Sequence, residues 1–162
     1  MSETAVTNGE VLRERIEQAL SAAGVTGAFF VKNPQRIYIE VDPTYLVAAS
    51  RVIFDMPGVR FSIASGQQTR TGFEVLYHYG FDLDDCVVSV RVATTEDPPV
   101  FDSISGVVHC AQYIEREMHD LLGIAFRDHP GLDRILLSED WPDDVYPLRR
   151  GKPWVGKVEK RI

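Results

Sequence analysis

The stretch VRFSIASGQQTRTGFEVLYHYGFDLDDCVVSVRVATT, residues 59–95, decides the fold class. It holds three runs rich in β-branched and aromatic residues, and such runs predict strands. The predicted strands are residues 59–68, 72–81 and 86–95. Because the connections between them are only three and four residues long, the strands favour antiparallel pairing with their neighbours. The stretch therefore predicts an antiparallel meander.

Before this meander, helical and extended patterns alternate. Apolar residues at helical spacing over residues 11–23, followed by Gly24, predict a first helix. Residues 28–31 and 37–41 predict two strands, and residues 45–55 predict a second helix that follows Asp42-Pro43. We expect residues 1–9 to be disordered.

After the meander, a helical stretch is predicted to begin near Asp102 or Ser103 and to run, with or without a bend, to Leu122. Gly123 ends it, and the chain then has several prolines and no long periodic run. The fold class predicted is α+β, with a small mixed or antiparallel sheet, helices on one face and an extended C-terminal arm. The predicted parts are a disordered segment 1–9, a domain 10–123 and an arm 124–162 that ends in a basic tail.

Composition limits the possible functions. The chain has 162 residues, enough for one domain, and its net charge of −7 argues against nonspecific nucleic-acid binding. The first residues lack an apolar run, and no segment has eighteen consecutive apolar residues, so we expect a soluble, cytoplasmic protein without a signal peptide. Residues 148–162 contain six bases against one acid, which suits an acidic partner, an anionic membrane surface or a solvated tail.

No pattern predicts a metal or cofactor site in this chain. The four histidines show no i, i+4 pair, and two cysteines cannot hold a four-thiolate cluster. Thiols of this kind are usually small, buried, apolar residues, so Cys86 and Cys110 are expected to be buried.

The helix before Gly123 and the segment after it form the most unusual part of the sequence. Arg116 and Asp120 are four residues apart and can pair, as can Glu115 and His119; alternatively, these charges form only a solvated helix face. Beyond the helix, aromatic residues on a proline-braced segment have the composition of a protein–protein anchor. The alternative is an arm that folds back on its own domain.

These residues resemble a known family. Glu115-Arg116-Glu117, Asp120, Gly123, His129-Pro130, Arg134 and Pro147-Leu148-Arg149-Arg150 resemble the thirty-kilodalton subunit of respiratory complex I (NADH dehydrogenase), whose module also occurs in energy-converting nickel-iron hydrogenases. Two positions depart from the family pattern. Asp133 stands where the family usually has a basic residue, and Gly151-Lys152 stands where an acidic residue usually follows the basic pair Arg149-Arg150. Residues 138–147 look more like the hydrogenase branch.

The resemblance implies a non-catalytic accessory subunit of a membrane-associated, energy-converting oxidoreductase. It implies a chain without a cofactor that docks on the large, forty-nine-kilodalton-type catalytic subunit, peripheral on the cytoplasmic face of the membrane. Neighbouring subunits would carry nickel-iron or iron–sulfur centres. The implied signature and interface residues are Glu115, Arg116, Glu117, Asp120, Gly123, His129, Pro130, Arg134, Trp141, Tyr146, Pro147, Leu148, Arg149 and Arg150.

Two other hypotheses stay open at this point. A small free-standing enzyme could use Glu117, Asp120 and His129 as acid and base, and it would need an enclosed pocket with shifted carboxylate pKa values at those residues. The second hypothesis is a plain adaptor protein without any redox partner.

Overall fold

The structure is a computed structural model that describes residues 8–151. It contains three helices, α1 (Asn8–Ala22), α2 (Leu46–Phe54) and α3 (Ala111–Leu122), and a short 3-10 turn at Pro43–Tyr45. The strands are β1 (Gly27–Asn33), β2 (Arg36–Val41), β3 (Val59–Gln68), β4 (Phe73–Phe81), β5 (Cys86–Thr94), β6 (Val100–Asp102) and β7 (Ala125–Arg127).

Five strands form one mixed sheet in the order β1-β2-β5-β4-β3. The predicted meander is confirmed, since β3 pairs antiparallel with β4 and β4 with β5. The hairpin β1-β2 joins this meander through parallel pairing of β2 with β5, in which Tyr38 lies opposite Ser89. The connection from β2 to β5 passes through α2, β3 and β4, which gives the chain enough length to return in the parallel direction.

The helices cover one face of this sheet. Every second residue of β4 is buried on that face, because side chains alternate along a strand: Phe73, Val75, Tyr77, Tyr79 and Phe81. These side chains join buried residues of all three helices in a single core: Leu12, Ile16, Leu20, Leu46, Ala49, Ile53, Met118 and Leu122. The α+β class with helices on one face is thus confirmed.

The predicted helix from Asp102 or Ser103 to Leu122 is wrong in its first half. Val100–Asp102 is a strand, β6, and the α-helix starts only at Ala111. The chain between them leaves the helical path because the Ser103 hydroxyl and the Ile104 amide are hydrogen-bonded to the carboxylate of Glu115. Strand β6 pairs in parallel with β7, so the arm begins with three residues in a second small sheet.

Two smaller expectations also need correction. Helix α1 starts at Asn8, inside the segment 1–9 that was predicted to be disordered. Cys86 is buried as expected, but Cys110 is exposed because it lies just before α3 on the surface. Residues 1–7 and 152–162, which include most of the predicted basic tail, lie outside the described part. Among residues 8–151, no helix has the length and apolar character needed to cross a bilayer.

Candidate functional site

Helix α3 carries a carboxylate on its buried side. Ala111, Glu115, Met118 and Leu122 follow one another at intervals of four, three and four residues, so they share one face of the helix. That face packs on the sheet, and Glu115 is 0% exposed. The sequence-based interpretation of Glu115 as part of a charged surface is therefore wrong.

Three donors surround the Glu115 carboxylate. The Tyr77 hydroxyl donates to Oε1 at 3.0 Å, the Ile104 amide donates to Oε1 at 2.9 Å, and the Ser103 hydroxyl donates to Oε2 at 2.5 Å. Burial raises the pKa of Glu115, and these hydrogen bonds offset only part of that effect. Burial and the nearby Glu115 charge also raise the pKa of Tyr77, which keeps its hydroxyl a donor. The carboxylate thus links α3 to the sheet and to the loop after β6.

His129 closes the site from the arm. Its side chain is 1% exposed, and its Nε2 lies 3.9 Å from Oε2 of Glu115. The Gly131 amide donates to Nδ1 at 3.0 Å, so Nδ1 is an acceptor, and Nε2 is 3.0 Å from the Gln112 carbonyl, to which it donates. This pattern fits a neutral imidazole with its proton on Nε2. His129 therefore secures the turn before exposed Pro130 to the start of α3.

Arg116 and Asp120 hold the next part of the arm instead of each other. Arg116 donates to the carbonyls of Asp133 at 2.9 Å and Arg134 at 3.0 Å. Oδ2 of Asp120 accepts from three consecutive amides, those of Ile135, Leu136 and Leu137, at 3.2, 2.8 and 2.8 Å. The helix thereby fixes the backbone of residues 133–137.

The pKa of Asp120 is lowered by this arrangement. Burial alone would raise it, but the amides of Leu137, Leu136 and Ile135, with the charge of Arg134, outweigh the burial effect. The pairing of Glu115 with His119 allowed by the sequence is also replaced, since His119 Nδ1 donates to the Ile124 carbonyl at 2.9 Å.

Arg134 and Trp141 shape the middle of the arm. Arg134 Nη1 donates to the carbonyls of Ser138 and Trp141, at 3.1 and 2.6 Å, and Nη2 contacts Asp143 at 2.6 Å. The Trp141 indole donates to the Val145 carbonyl at 2.7 Å. These contacts close residues 134–145 into a loop.

Arg149 fastens the end of the arm to the end of α3. Its Nε donates to the Leu122 carbonyl at 2.6 Å, and its Nη1 pairs with Asp97 at 2.8 Å. Its guanidinium carbon lies 4.9 Å from the ring centre of Phe73 and 4.8 Å from that of Tyr146. Such a group satisfies a helix-end carbonyl and stacks on aromatic rings at once.

Neighbouring signature residues complete this attachment. The Leu148 amide, which follows exposed Pro147, donates to the Leu121 carbonyl at 3.1 Å, and the Arg150 amide donates to the Gln68 side chain at 2.7 Å. Gly123 has φ +67°, and an added Cβ would lie 2.6 Å from the Tyr146 ring, so the position requires glycine on both grounds. The arm as far as residue 151 therefore folds on its own domain, as the alternative interpretation of the sequence proposed.

The residues of the acid–base hypothesis do not converge. Asp120 lines a cleft of about 330 Å³ with Leu137, Trp141 and Tyr146, but neither Glu117 nor His129 lines that cleft. Asp120 is already bonded to three amides and its pKa is lowered, which suits a structural carboxylate more than a proton shuttle. Glu117 is half-buried.

Sequence reasoning missed Tyr77, Ser103 and Ile104 as partners of Glu115. The spacing of Glu115 with Ala111, Met118 and Leu122 was the available signal, because a charged residue within an apolar helical stripe needs buried partners. Within residues 8–151, no three His, Cys, Asp or Glu side chains are grouped so that they could hold a metal ion.

Comparison with known proteins adds independent information. Residues 39–158 match the family described as respiratory-chain NADH dehydrogenase, 30 Kd subunit. The chain is 33% identical over 157 residues to the C subunit of NADH-quinone oxidoreductase from Roseiflexus sp. (strain RS-1), with 92% of this chain and 86% of that protein covered. It is also 33% identical over 158 residues to the corresponding protein of Maricaulis maris (strain MCS10), covering 94% and 76%.

Two solved structures share the fold. A membrane-bound sulfane sulfur reductase, an archaeal respiratory membrane complex, contains a chain that aligns with TM-score 0.65 and 19% identity, covering 85% of this chain and 83% of that one. The trypsin-resistant fragment (1–134) of Nqo5 aligns with TM-score 0.56 and 21% identity, covering 74% and 98%.

Proposed function

The chain belongs to the family of the 30 Kd subunit of respiratory-chain NADH dehydrogenase, and from this membership we propose that it is an accessory subunit of a membrane respiratory complex. The observation that carries the proposal is the match over residues 39–158, which includes α3 and the described arm. The Roseiflexus and Maricaulis relatives, which cover more than nine-tenths of the chain, are themselves named as subunits of NADH-quinone oxidoreductase.

The chemistry of the site supports a role without catalysis. Most charged signature residues form hydrogen bonds within the chain through their side chains: Glu115, Arg116, Asp120, Arg134 and Arg149. These bonds order the arm and engage the side chains with groups of the chain itself. We assign them the task of shaping a surface for another subunit.

The finer parts of the proposal concern the partners. The chain docks on the large catalytic subunit and lies near iron–sulfur subunits, and it carries no cofactor of its own; the redox centres, nickel-iron or iron–sulfur, belong to those neighbours. It lies peripheral to the membrane, on the cytoplasmic face. The parent complex belongs either to the quinone-reductase branch, as the named relatives do, or to the hydrogenase branch, which residues 138–147 resemble.

Gene replacement in the native host tests this function. Loss of the chain is expected to abolish the activity of one membrane oxidoreductase, and NADH:quinone reductase and hydrogenase activities of isolated membranes identify which. A copy with Glu117→Gln is expected to restore full activity, since Glu117 lies outside the cleft and the buried network. A membrane activity that survives loss of the chain overturns the proposal, and failure of Glu117→Gln to restore activity, with the complex still assembled, supports an acid–base role of Glu117 instead.

A further inference from the structure

Three aliphatic side chains of the arm are left at the surface. Leu136 is 54% exposed, Leu148 is 56% exposed and Ile135 is 37% exposed. Each belongs to a segment whose backbone is bonded to α3, so the exposure is imposed by well-defined contacts. We call these three residues the arm ridge.

Two adjacent residues of α3 anchor the arm ridge. Asp120 accepts from the amides of Ile135 and Leu136, and the carbonyl of Leu121 accepts from the amide of Leu148. Two neighbouring residues of α3 thus hold the backbone of all three ridge residues. A surface that is ordered before contact loses little conformational entropy when it is covered.

Strong negative charge lies in the same segment of the arm as Ile135 and Leu136. Residues 133–144 hold five acidic residues against one base, Arg134. Arg134 is already engaged with Asp143, while Glu139, Asp140 and Asp144 are exposed and form no ion pair with any residue of the described part. We call these three carboxylates the acidic rim.

We propose that the arm ridge and the acidic rim dock a partner protein that surrounds an apolar socket with lysine or arginine side chains. The inference rests on the proposed function and names the chemistry of the partner surface. Charge complementarity selects this occupant. A second copy of the chain has the same net charge of −7, and an anionic lipid surface would be repelled by the rim.

Carbodiimide chemistry on the native complex tests the proposal, because it labels accessible carboxylates and joins carboxylates to lysines in contact. The complex is purified through a tag on this chain and compared with the isolated chain. We expect the acidic rim to be labelled several-fold less in the complex and to cross-link to lysines of one other subunit. Glu14 and Asp55 are exposed and lie far from the acidic rim in the sequence, so they serve as reference carboxylates.

The possible outcomes separate the two proposals. Equal labelling of the rim in the complex and in the isolated chain overturns the docking surface while the accessory-subunit function stands. Cross-links only to a second copy, or to residues 152–162 of the same chain, also overturn it. If the tagged chain is extracted from the membrane without any other subunit, both the docking surface and the accessory-subunit function are overturned.

Matched variants give a second measurement. The variant Glu139→Gln/Asp140→Asn/Asp144→Asn removes three charges, and Asn tolerates the φ of +52° found at Asp144. The control Glu14→Gln/Asp55→Asn/Asp85→Asn removes three exposed charges elsewhere. During washes from about 0.05 to 1 M NaCl, the first variant is expected to release the other subunits at lower salt than wild type and control. Release at the same salt would contradict the role of the rim.

Discussion

The hydroxyl of Tyr77, in the middle of β4, donates a 3.0 Å hydrogen bond to Oε1 of Glu115, in the first half of α3. Both side chains are 0% exposed, so this bond joins sheet and helix inside the core. Ser103 and Ile104 bring the loop after β6 to the same carboxylate. One charged residue therefore sets the position of three separate parts of the fold.

Removal of this carboxylate should destabilise the protein strongly. Glu115→Ala removes the shared acceptor of three buried donors, so we expect a loss of about 3 kcal/mol or more in the free energy of unfolding. Glu115→Gln keeps the oxygen that accepts from Tyr77 and Ile104, and should cost only about 1 kcal/mol. Urea unfolding measures both. Glu117→Gln, two residues away and half-buried, is the control and should change stability by less than about 0.5 kcal/mol; equal losses at both positions would contradict the buried network.

The pH dependence of stability should report the same group. Because the folded-state pKa of Glu115 is raised above its ordinary value of 4.5, the folded protein binds this proton more tightly than the unfolded chain does. Its contribution is therefore fully present below pH 4.5 and is lost as pH rises through the folded-state pKa. Relative to Glu115→Gln, wild type should lose stability over that rise in urea unfolding series. A constant difference across pH would show that the pKa is not raised.

Much of the fold could be predicted from sequence, and the failures have physical causes. The meander in residues 59–95 was predictable because long runs of strand-forming residues alternate with short turns. Strands β6 and β7 were not, since each has three residues and they pair across α3. The site was harder still. Arg116 and Asp120 bond to backbone groups of the arm, and a backbone partner leaves no mark in the sequence.

Asp120 should control the order of the arm. Asp120→Ala removes the acceptor of three amides, so the amides of Ile135, Leu136 and Leu137 should exchange with deuterium at least tenfold faster, which corresponds to about 1.4 kcal/mol of local opening. Exchange measured by mass spectrometry on the isolated chain tests this. Asp133→Asn, an exposed acid nearby, should leave these rates unchanged. Unchanged rates in Asp120→Ala would mean that the arm is held by other contacts.

Arg149 should not be replaceable by lysine. Lysine cannot reproduce the bond to the Leu122 carbonyl together with the contacts to the rings of Phe73 and Tyr146. We expect Arg149→Lys to lower the free energy of unfolding by about 1–2 kcal/mol. Arg150→Lys is the matched control, because Arg150 is exposed and bonds to Gln68 through its backbone amide, which the substitution keeps. If both variants unfold at the same urea concentration, the contacts of Arg149 do not stabilise the fold as proposed.

Native mass spectrometry of the detergent-solubilised assembly, purified from native membranes through a tag on this chain, tests the accessory-subunit function most directly. The family membership and the ordered arm predict this chain in a fixed stoichiometry with other, redox-centre-bearing subunits. Recovery of the chain alone, or only with copies of itself, would contradict that function.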